Sequence, residues 1–228
     1  MFPKTKVING YAITYFNDKE LDLIQKEIFT NKIYDVEISN DSPIIIDCGA
    51  YLGLSIVYFK KRYPNSKIIA FEPNPNVFPF LEENVTCNRL ENVTLYNVAL
   101  GRKKCTRDFY IDSSGIGAFS TSSFNKDAWN GKQRTKRIGV SVDMLSNYIN
   151  SNVDLVKIDI EGAEMEVMDD LAHTKKVVLV DNYIIEFHQS KKNRLDNLTN
   201  LLEKYRYFVD IKPDKEDNLF LVYAKRNF

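Results

Sequence analysis

Acidic side chains stand at the carboxyl ends of three predicted strands, and their order along the chain suggests one binding crevice. Asp47 and Glu72 each close an apolar run, and Asp159 and Glu161 end the segment VDLVKIDIE. Ligands of open α/β sheets bind outside the carboxyl ends of the strands. We therefore expect these carboxylates to face a common ligand.

The loop after Asp47 reads CGAYLG and predicts a close approach between backbone and ligand. Gly49 lets the backbone come near a ligand, and Gly53 lets the next helix begin close to the strand. We expect Ala50 and Tyr51 between them to contact the same ligand. The spacing is G-x-x-x-G rather than the dinucleotide fingerprint G-x-G-x-x-G. Glycines after a strand also serve plain turns, so the loop alone does not identify the ligand.

The next strand supplies an acid where a ribose-binding residue belongs. Glu72 follows Gly53 by nineteen residues, and Pro73 shapes the turn behind it. A carboxylate that accepts both ribose hydroxyls makes a specific, charge-assisted contact. Val98, after the third strand, would border the adenine. The alternative is that Glu72 is a solvated strand-end acid.

The charge of Asp47 favours one adenosine-bearing ligand over another. A fixed carboxylate at this loop would repel a pyrophosphate, whereas it attracts the sulfonium and ammonium groups of S-adenosylmethionine. The sequence therefore predicts S-adenosylmethionine as the cofactor in preference to a dinucleotide.

The fourth strand, in VDLVKIDIEGAEMEVM, carries charges that a central strand rarely holds. Lys157 and Asp159 share one face of this strand, and they are costly there unless they are paired. Asp159 and Glu161 would face the crevice where methyl group and acceptor meet, with Asp159 also touching the cofactor. The alternative for Lys157 is a structural ion pair with Asp159 or Asp47.

His188 is the histidine best placed for proton transfer. The chain has two histidines, and His173 lies where a helix ends, whereas His188 follows a predicted strand and shares a side with Glu186. Histidine is the usual general base near neutral pH. A lone histidine also commonly has a purely structural role.

A metal-assisted reaction is a further alternative. Asp159, Glu161, Glu186 and His188 together offer hard oxygen ligands and an imidazole. No dense ligand motif accompanies them, so the sequence predicts no metal site.

Strand-like and helical segments alternate along the chain and must position these residues. This alternation predicts a doubly wound α/β sheet. Core strands are expected at Ile44–Asp47, Lys67–Phe71, Val93–Val98, Val153–Asp159 and Val177–Phe187, and a closing hairpin at Tyr205–Ile211 and Leu219–Ala224. Helices are expected at Leu54–Tyr63, Asn76–Arg89, Ala163–Leu171 and Lys191–Tyr205. Pro79 implies that the second of these helices is kinked or starts late.

Two segments lie outside this alternation. In residues 1–40 the pattern predicts a hairpin, formed by Val7–Asn9 and Tyr11–Phe16, and then a helix that Asn17 caps. Residues 101–152 form an insertion with a second hairpin, Lys104–Ile111 with Thr135–Val142. Gly115–Phe119 would act as a lid over the acceptor. Aromatic side chains of the insertion would either stack on sugar faces or form its own small core; they are Phe109, Tyr110, Phe119, Phe124 and Trp129.

Composition places the chain among ordinary globular proteins. It has 228 residues, with 31 basic residues balancing 31 acidic ones, so no basic footprint for nucleic acid exists. Three unpaired cysteines predict free thiols in a reducing compartment. No signal peptide or membrane span is apparent, so we expect a cytoplasmic protein. Nothing in the pattern points to a particular oligomeric state.

The segments IIIDCGAYLGLS, IIAFEPNPNVF, NVALG, VSVDMLSNYI, VDLVKIDIEGAEMEVM and YIIEFH resemble, in this order, the FkbM family of methyltransferases. The resemblance covers about residues 43–190. It implies a class I methyltransferase fold, with a Rossmann-like seven-stranded sheet, in residues 41–228. It also implies S-adenosylmethionine-dependent O-methylation of a sugar, glycolipid or secondary metabolite. Tyr51 stands where the family commonly has asparagine, which would alter how the loop covers the methionine end.

The expected reaction is an in-line displacement in which His188 or Glu161 removes the acceptor's proton.

Two other functional classes remain open. One is an NAD-dependent oxidoreductase on a similar sheet, against which the missing fingerprint and Asp47 both speak. The other is a non-catalytic module that binds S-adenosylmethionine without a working acceptor site.

Overall fold

The computed structural model describes residues 3–113, 122–124, 135–190, 193–213 and 218–227. The strands are β1 (Lys4–Ile8), β2 (Tyr11–Tyr15), β3 (Ile44–Cys48), β4 (Lys67–Phe71), β5 (Val93–Tyr96), β6 (Ala99–Leu100), β7 (Cys105–Asp112), β8 (Thr135–Asp143), β9 (Val153–Ile158), β10 (Val180–His188), β11 (Tyr207–Pro213) and β12 (Leu219–Arg226). The α-helices are α1 (Asp18–Gln25), α2 (Leu54–Arg62), α3 (Phe78–Cys87), α4 (Glu164–His173) and α5 (Leu195–Lys204).

Seven strands form the central sheet in the order β11-β12-β10-β9-β3-β4-β5. The five strands from β10 to β5 run parallel, and β12 runs antiparallel to both of its neighbours. This confirms the predicted sheet, including its antiparallel C-terminal hairpin. The chain passes from β3 outward to β5 and later returns to β9 on the other side of β3. The order therefore reverses between β3 and β9, where a ligand crevice is expected.

Buried residues cover both faces of this sheet. In β3, Ile46 packs towards α4 and α5, whereas Ile45 packs towards α2 and the N-terminal hairpin. Successive residues of a strand point to opposite faces, so a β3 with apolar residues on both faces needs a layer on each side. Residues from the first forty contribute Ile8 and Ile13 to the second layer.

The N-terminal hairpin is attached to the domain by amide side chains of α3. β1 pairs with β2, and Asn84 of α3 accepts a hydrogen bond from the Thr14 N–H and donates one to the Thr14 carbonyl. The Asn84 amide also donates to the carbonyl of Leu52 in the glycine loop, at 3.0 Å. As predicted, the Asn17 side chain caps α1, which continues as a π-helical turn over Lys26–Thr30.

Several element boundaries differ from the prediction for local reasons. α3 starts at Phe78 instead of Asn76, a late start that Pro79 predicted, because Pro79 then lies in the first turn, where no N–H donor is needed. A 3₁₀ turn over Lys176–Leu179 delays β10, and β5 ends at Tyr96. No helix among the described residues is long and apolar enough to cross a membrane.

The insertion forms a small separate sheet in the order β6-β8-β7, which includes the predicted second hairpin. Phe109 and Phe124 meet edge-on within its own core, with ring centroids 5.4 Å apart. Gly115–Phe119, the predicted lid, and Trp129 lie outside the described residues.

Candidate active site

The glycine loop and the end of β9 touch backbone to backbone at the crevice. Gly49 has φ +89°, and a Cβ built there would lie 1.8 Å from the carbonyl oxygen of Asp159. The Asp159 N–H in turn donates to the Cys48 carbonyl at 3.0 Å. Only glycine fits this position, because any side chain would separate the two strand ends. Gly53, with φ +85°, begins α2 close to Leu81.

The loop itself holds the carboxylate of Glu72. Oε2 accepts the Tyr51 N–H at 3.0 Å, and Oε1 accepts the Asn74 N–H at 2.8 Å. Tyr51 reaches this position with φ +48°. Burial raises the pKa of Glu72 to about 7, although the two backbone hydrogen bonds lower it. The predicted ribose acid is therefore buried and anchored to the loop rather than freely solvated.

The other predicted cofactor contacts lie around this carboxylate. Ala50 is buried in the loop, and its N–H donates to the carbonyl of Phe71 at 2.9 Å. Pro73 and Val98 are half-buried, one beside Glu72 and the other just beyond β5. Their contacts with a ligand stay predictions.

Asp47 and Lys157 form an ion pair beneath the loop. Lys157 Nζ lies 3.1 Å from Asp47 Oδ1, and both side chains are fully buried. The same Nζ donates to the Gly49 carbonyl at 2.6 Å and lies 3.5 Å from Asp159 Oδ2. Burial lowers the pKa of Lys157, but the charge of Asp47 outweighs it and the pKa stays well above its ordinary value. The structural ion pair raised from the sequence is thus present, and a direct contact of Asp47 with a ligand stays a prediction.

Tyr34 is a member of this site that sequence reasoning missed. It comes from the N-terminal segment, is buried, and places its ring 5.5 Å from Lys157 Nζ. It lies in an irregular stretch with no periodic pattern, so the sequence carries no signal for its position.

The predicted catalytic residues meet at the mouth of the crevice. One ligand-type atom of each of Asp159, Glu161 and His188 lies within 4.8 Å of the others. His188 Nε2 is 3.3 Å from Glu161 Oε2, and Glu161 adopts φ +56° to reach it. Glu186 lies beside them and makes no hydrogen bond or ion pair to another described residue. The structure therefore brings together the acids and the imidazole that the sequence singled out.

Glu164 orients the imidazole from behind. Its Oε1 lies 3.0 Å from His188 Nδ1 and also accepts the Gly162 N–H at 2.8 Å. Asn193 donates to Glu164 Oε2 at 2.9 Å and to the His188 carbonyl at 2.7 Å. Glu164 lies in the first turn of α4, where the helix dipole alone accounts for an acid, so neither it nor Asn193 stood out in the sequence.

Protonation of the cluster follows from these contacts. Burial lowers the pKa of His188, but Glu161 and Glu164 outweigh it and raise the pKa well above its ordinary value. Burial raises the pKa of Glu186 well above its ordinary value, and Asp159 adds to this. The raised pKa of His188 favours the imidazolium, and removal of a proton by His188 stays a prediction.

A cavity of about 1500 Å³ extends outward from Glu161, between the insertion and the helices α4 and α5. Ser123 of the insertion donates to the Glu161 carbonyl at 2.7 Å, so the insertion fixes the backbone of the cluster. Arg107 pairs with Glu166 at 2.8 Å and lies 3.9 Å above the ring of Phe124. Apolar side chains, amide side chains and paired charged side chains thus line the cavity beside the reacting groups.

Comparison with known proteins places this geometry in context. Residues 47–209 match the Methyltransferase FkbM domain. The chain is 31% identical over 232 residues to Methyltransferase 1 of Beauveria bassiana (strain ARSEF 2860), covering 91% of each protein. It is 24% identical over 177 residues to the 31-O-demethyl-FK506 methyltransferase FkbM of Streptomyces tacrolimicus, covering 75% of this chain and 63% of that protein.

A solved structure, methyltransferase FkbM from Methylobacillus flagellatus KT, matches with a TM-score of 0.58 at 15% identity. The match covers 83% of this chain and 45% of the other, so this chain spans less than half the length of that protein. At this identity the likeness concerns the fold, and it agrees with the predicted class I methyltransferase architecture.

Proposed function

The chain belongs to the FkbM methyltransferase family, and from that premise we propose that it transfers the methyl group of S-adenosylmethionine to a hydroxyl oxygen. The acceptor would be a sugar, a glycolipid or a secondary metabolite. The observation that carries the proposal is the Glu72 carboxylate at the end of β4, anchored to the glycine loop by the Tyr51 N–H. The name of the Streptomyces relative, which refers to an O-demethyl substrate, supports oxygen as the acceptor atom.

The residues of the crevice fit the cofactor on several grounds. Each carboxylate oxygen of Glu72 accepts one backbone N–H and keeps a second lone pair, which suits two ribose hydroxyls. Gly49 and Ala50 supply backbone without bulk at the methionine end, and Asp159 supplies a negative charge there. Pro73 and Val98 offer apolar surface for the adenine.

Asp47 would act on this binding indirectly. Its carboxylate is fully buried and holds Lys157, which holds the carbonyl of Gly49. We therefore propose that Asp47 sets the shape of the loop and contributes negative charge beneath the methionine end.

The bound cofactor would supply an electrophilic methyl group on a sulfonium. The chain's own residues would align the acceptor oxygen with that carbon in the cavity beside Glu161. Glu161 would take the hydroxyl proton as the acceptor oxygen gains the methyl group, which the bound cofactor would release from its sulfur. His188, charged and fixed by Glu164, would keep Glu161 in place and hold negative charge at the acceptor.

Calorimetry tests the cofactor half of the proposal. We expect wild-type protein to bind S-adenosylmethionine and S-adenosylhomocysteine but not NAD, and Glu72→Ala to lose most of this affinity. Binding of NAD alone would support the oxidoreductase alternative, and unchanged affinity in Glu72→Ala would remove Glu72 from the site.

Methyl transfer tests the other half. Hydroxylated glycans and metabolites are offered together with a labelled methyl donor, and labelled ether products are expected with wild-type protein. Glu161→Gln should bind the cofactor normally and lose turnover by about 10²–10⁴-fold. Cofactor binding without any labelled product across the panel would favour a non-catalytic binding module.

A further inference from the structure

The spacing of Asp159, Glu161 and His188 suits a coordinated cation. Their ligand-type atoms lie within 4.8 Å of one another, and His188 Nε2 lies 3.3 Å from Glu161 Oε2. Octahedral ligands at about 2.1–2.2 Å from an ion stand roughly 3.0 Å apart when adjacent and 4.3 Å when opposite. Movements of a few tenths of an ångström would bring the three atoms to such distances.

The support behind His188 has the form typical of a metal-bound histidine. Metal-ligating imidazoles usually donate their second N–H to a carboxylate, which directs the other nitrogen at the ion. Here Glu164 lies 3.0 Å from Nδ1 and is itself fully buried. It is held by the Gly162 N–H and by the amide of Asn193. Nε2 is therefore turned towards Asp159 and Glu161.

A further carboxylate, that of Glu186, lies beside the three residues. Glu186 shares a side of β10 with His188 and makes no hydrogen bond or ion pair to another described residue. A carboxylate withdrawn from water without a partner is costly. Lys157 offsets this charge only in part, because it already contacts Asp47, Asp159 and the Gly49 carbonyl. A dication at the cluster would neutralise the excess.

We propose that Asp159, Glu161 and His188 bind a divalent first-row cation such as Mn²⁺, next to Glu186. Two carboxylates and one imidazole form a mixed oxygen and nitrogen set that suits such an ion. On the proposed function, the ion would hold the acceptor hydroxyl and lower its pKa. With the ion bound, Glu161 would be a ligand in place of the proton acceptor assigned to it above. The hydroxyl proton would then pass to Glu186, and the oxygen would gain the methyl group as the bond from that group to sulfur breaks.

Ion binding is measured without any substrate. The full chain is freed of metal with a chelator, desalted, and titrated with Mn²⁺ while free Mn²⁺ is followed by electron paramagnetic resonance. We expect a single saturable site in wild-type protein. Glu161→Gln and Asp159→Asn should weaken it at least tenfold, and Glu164→Gln about 10–100-fold through the imidazole.

A matched control separates a built site from general attraction to acids. Asp169, on α4 at the edge of the same cavity, is paired with Arg102 and lies outside the cluster. Asp169→Asn should bind Mn²⁺ as wild type does. Absence of a saturable site in wild-type protein would overturn the proposal, and so would equal weakening in Asp169→Asn and Glu161→Gln.

The role of the ion is separated from the methyltransferase proposal by two further measurements. Chelated protein should still bind S-adenosylmethionine, since the hydrogen bonds that hold Glu72 to the glycine loop and to Asn74 do not involve the ion. Its turnover with an accepted substrate should fall at least tenfold and return with Mn²⁺. Full turnover after chelation would overturn the role of the ion and leave the proposed function standing. Loss of cofactor binding in every form would overturn the proposed function, whereas the Mn²⁺ titration would still decide the site.

Discussion

At the scale of single residues, Glu72 combines burial with a task that requires charge. Burial raises its pKa to about 7, whereas its ionised form is the better acceptor for ribose hydroxyls. Between the ordinary value and pH 7 the folded state binds more protons than the unfolded state. Its contribution to stability therefore declines as pH rises through this window, while its capacity to bind ligand increases.

This conflict gives a pH test. Affinity for S-adenosylmethionine should rise roughly tenfold between pH 6 and pH 8, following the ionised fraction of a group with pKa about 7. Glu72→Gln keeps the volume but cannot ionise, so it should bind about 10–100-fold more weakly at pH 8. Calorimetry across the pH range measures both. An equally steep profile in Glu72→Gln would assign the titration to another group.

Gly49 allows a test of backbone contact. Gly49→Ala would place a methyl group 1.8 Å from the Asp159 carbonyl oxygen, so we expect a loss of unfolding free energy of about 3 kcal/mol or more. Gly10 also has positive φ but has nothing within 4 Å of a built Cβ. Gly10→Ala should cost only about 1–2 kcal/mol. Urea denaturation compares the two, and similar losses would contradict the close approach.

Sequence reasoning located the strand-end acids because a charge that ends a buried apolar run stands out against its neighbours. Asp159, Glu161 and His188 were found in this way, and the structure brings them together. Tyr34, Glu164 and Asn193 were missed because their roles depend on contacts between distant segments. A glutamate in the first turn of a helix is already explained by the helix dipole. Nothing in the sequence therefore pointed to the contact of Glu164 with His188.

At the scale of elements, Lys157 joins β9, β3 and the glycine loop through one buried ammonium group. Lys157→Met retains most of the side-chain volume but leaves Asp47 buried and unpaired. We expect a loss of about 3–5 kcal/mol of unfolding free energy. Combining Lys157→Met with Asp47→Asn should recover part of it, since the uncompensated charge is then gone. A double variant no more stable than the single one would show that the loop contact, rather than the charge, is what matters.

Element order was predictable because apolar periodicity differs between strands and helices. The observed boundaries differ from the predicted ones where local backbone geometry and the apolar pattern favour different structures. The apolar stretch before β10 satisfies a strand pattern but forms a 3₁₀ turn over Lys176–Leu179. The small sheet of the insertion also gained β6, a two-residue strand too short to carry a periodic signal.

At the scale of the whole molecule, the different burial of the three cysteines provides a measure of unfolding. The structure confirms that none forms a disulfide: Cys48 is fully buried in β3, Cys87 is exposed and Cys105 is half-buried. Burial raises the pKa of the Cys48 thiol far above its ordinary value, and the charge of Asp47 adds to this. Cys48 is therefore shielded from thiolate chemistry in the folded protein.

Thiol counting with a chromogenic disulfide reagent tests this arrangement. Native protein should react at two thiols, and the third should react only at the rate of unfolding. The variant Cys48→Ala should show the two native reactions and no slow third one. Three fast thiols in native wild-type protein would contradict the burial of β3.

The first forty residues share a core with the sheet, although the matched family domain begins only at residue 47. The ring of Tyr34 lies 5.5 Å from Lys157 Nζ, and the Tyr51 hydroxyl donates to Glu20 of α1 at 2.5 Å. A gene trimmed to the matched segment would thus encode a polypeptide that lacks part of the layer covering one face of the sheet and the contacts that Tyr34 and Glu20 make with Lys157 and the glycine loop. For this protein, the boundaries of the matched family domain are a poor guide to where an expressed fragment should begin.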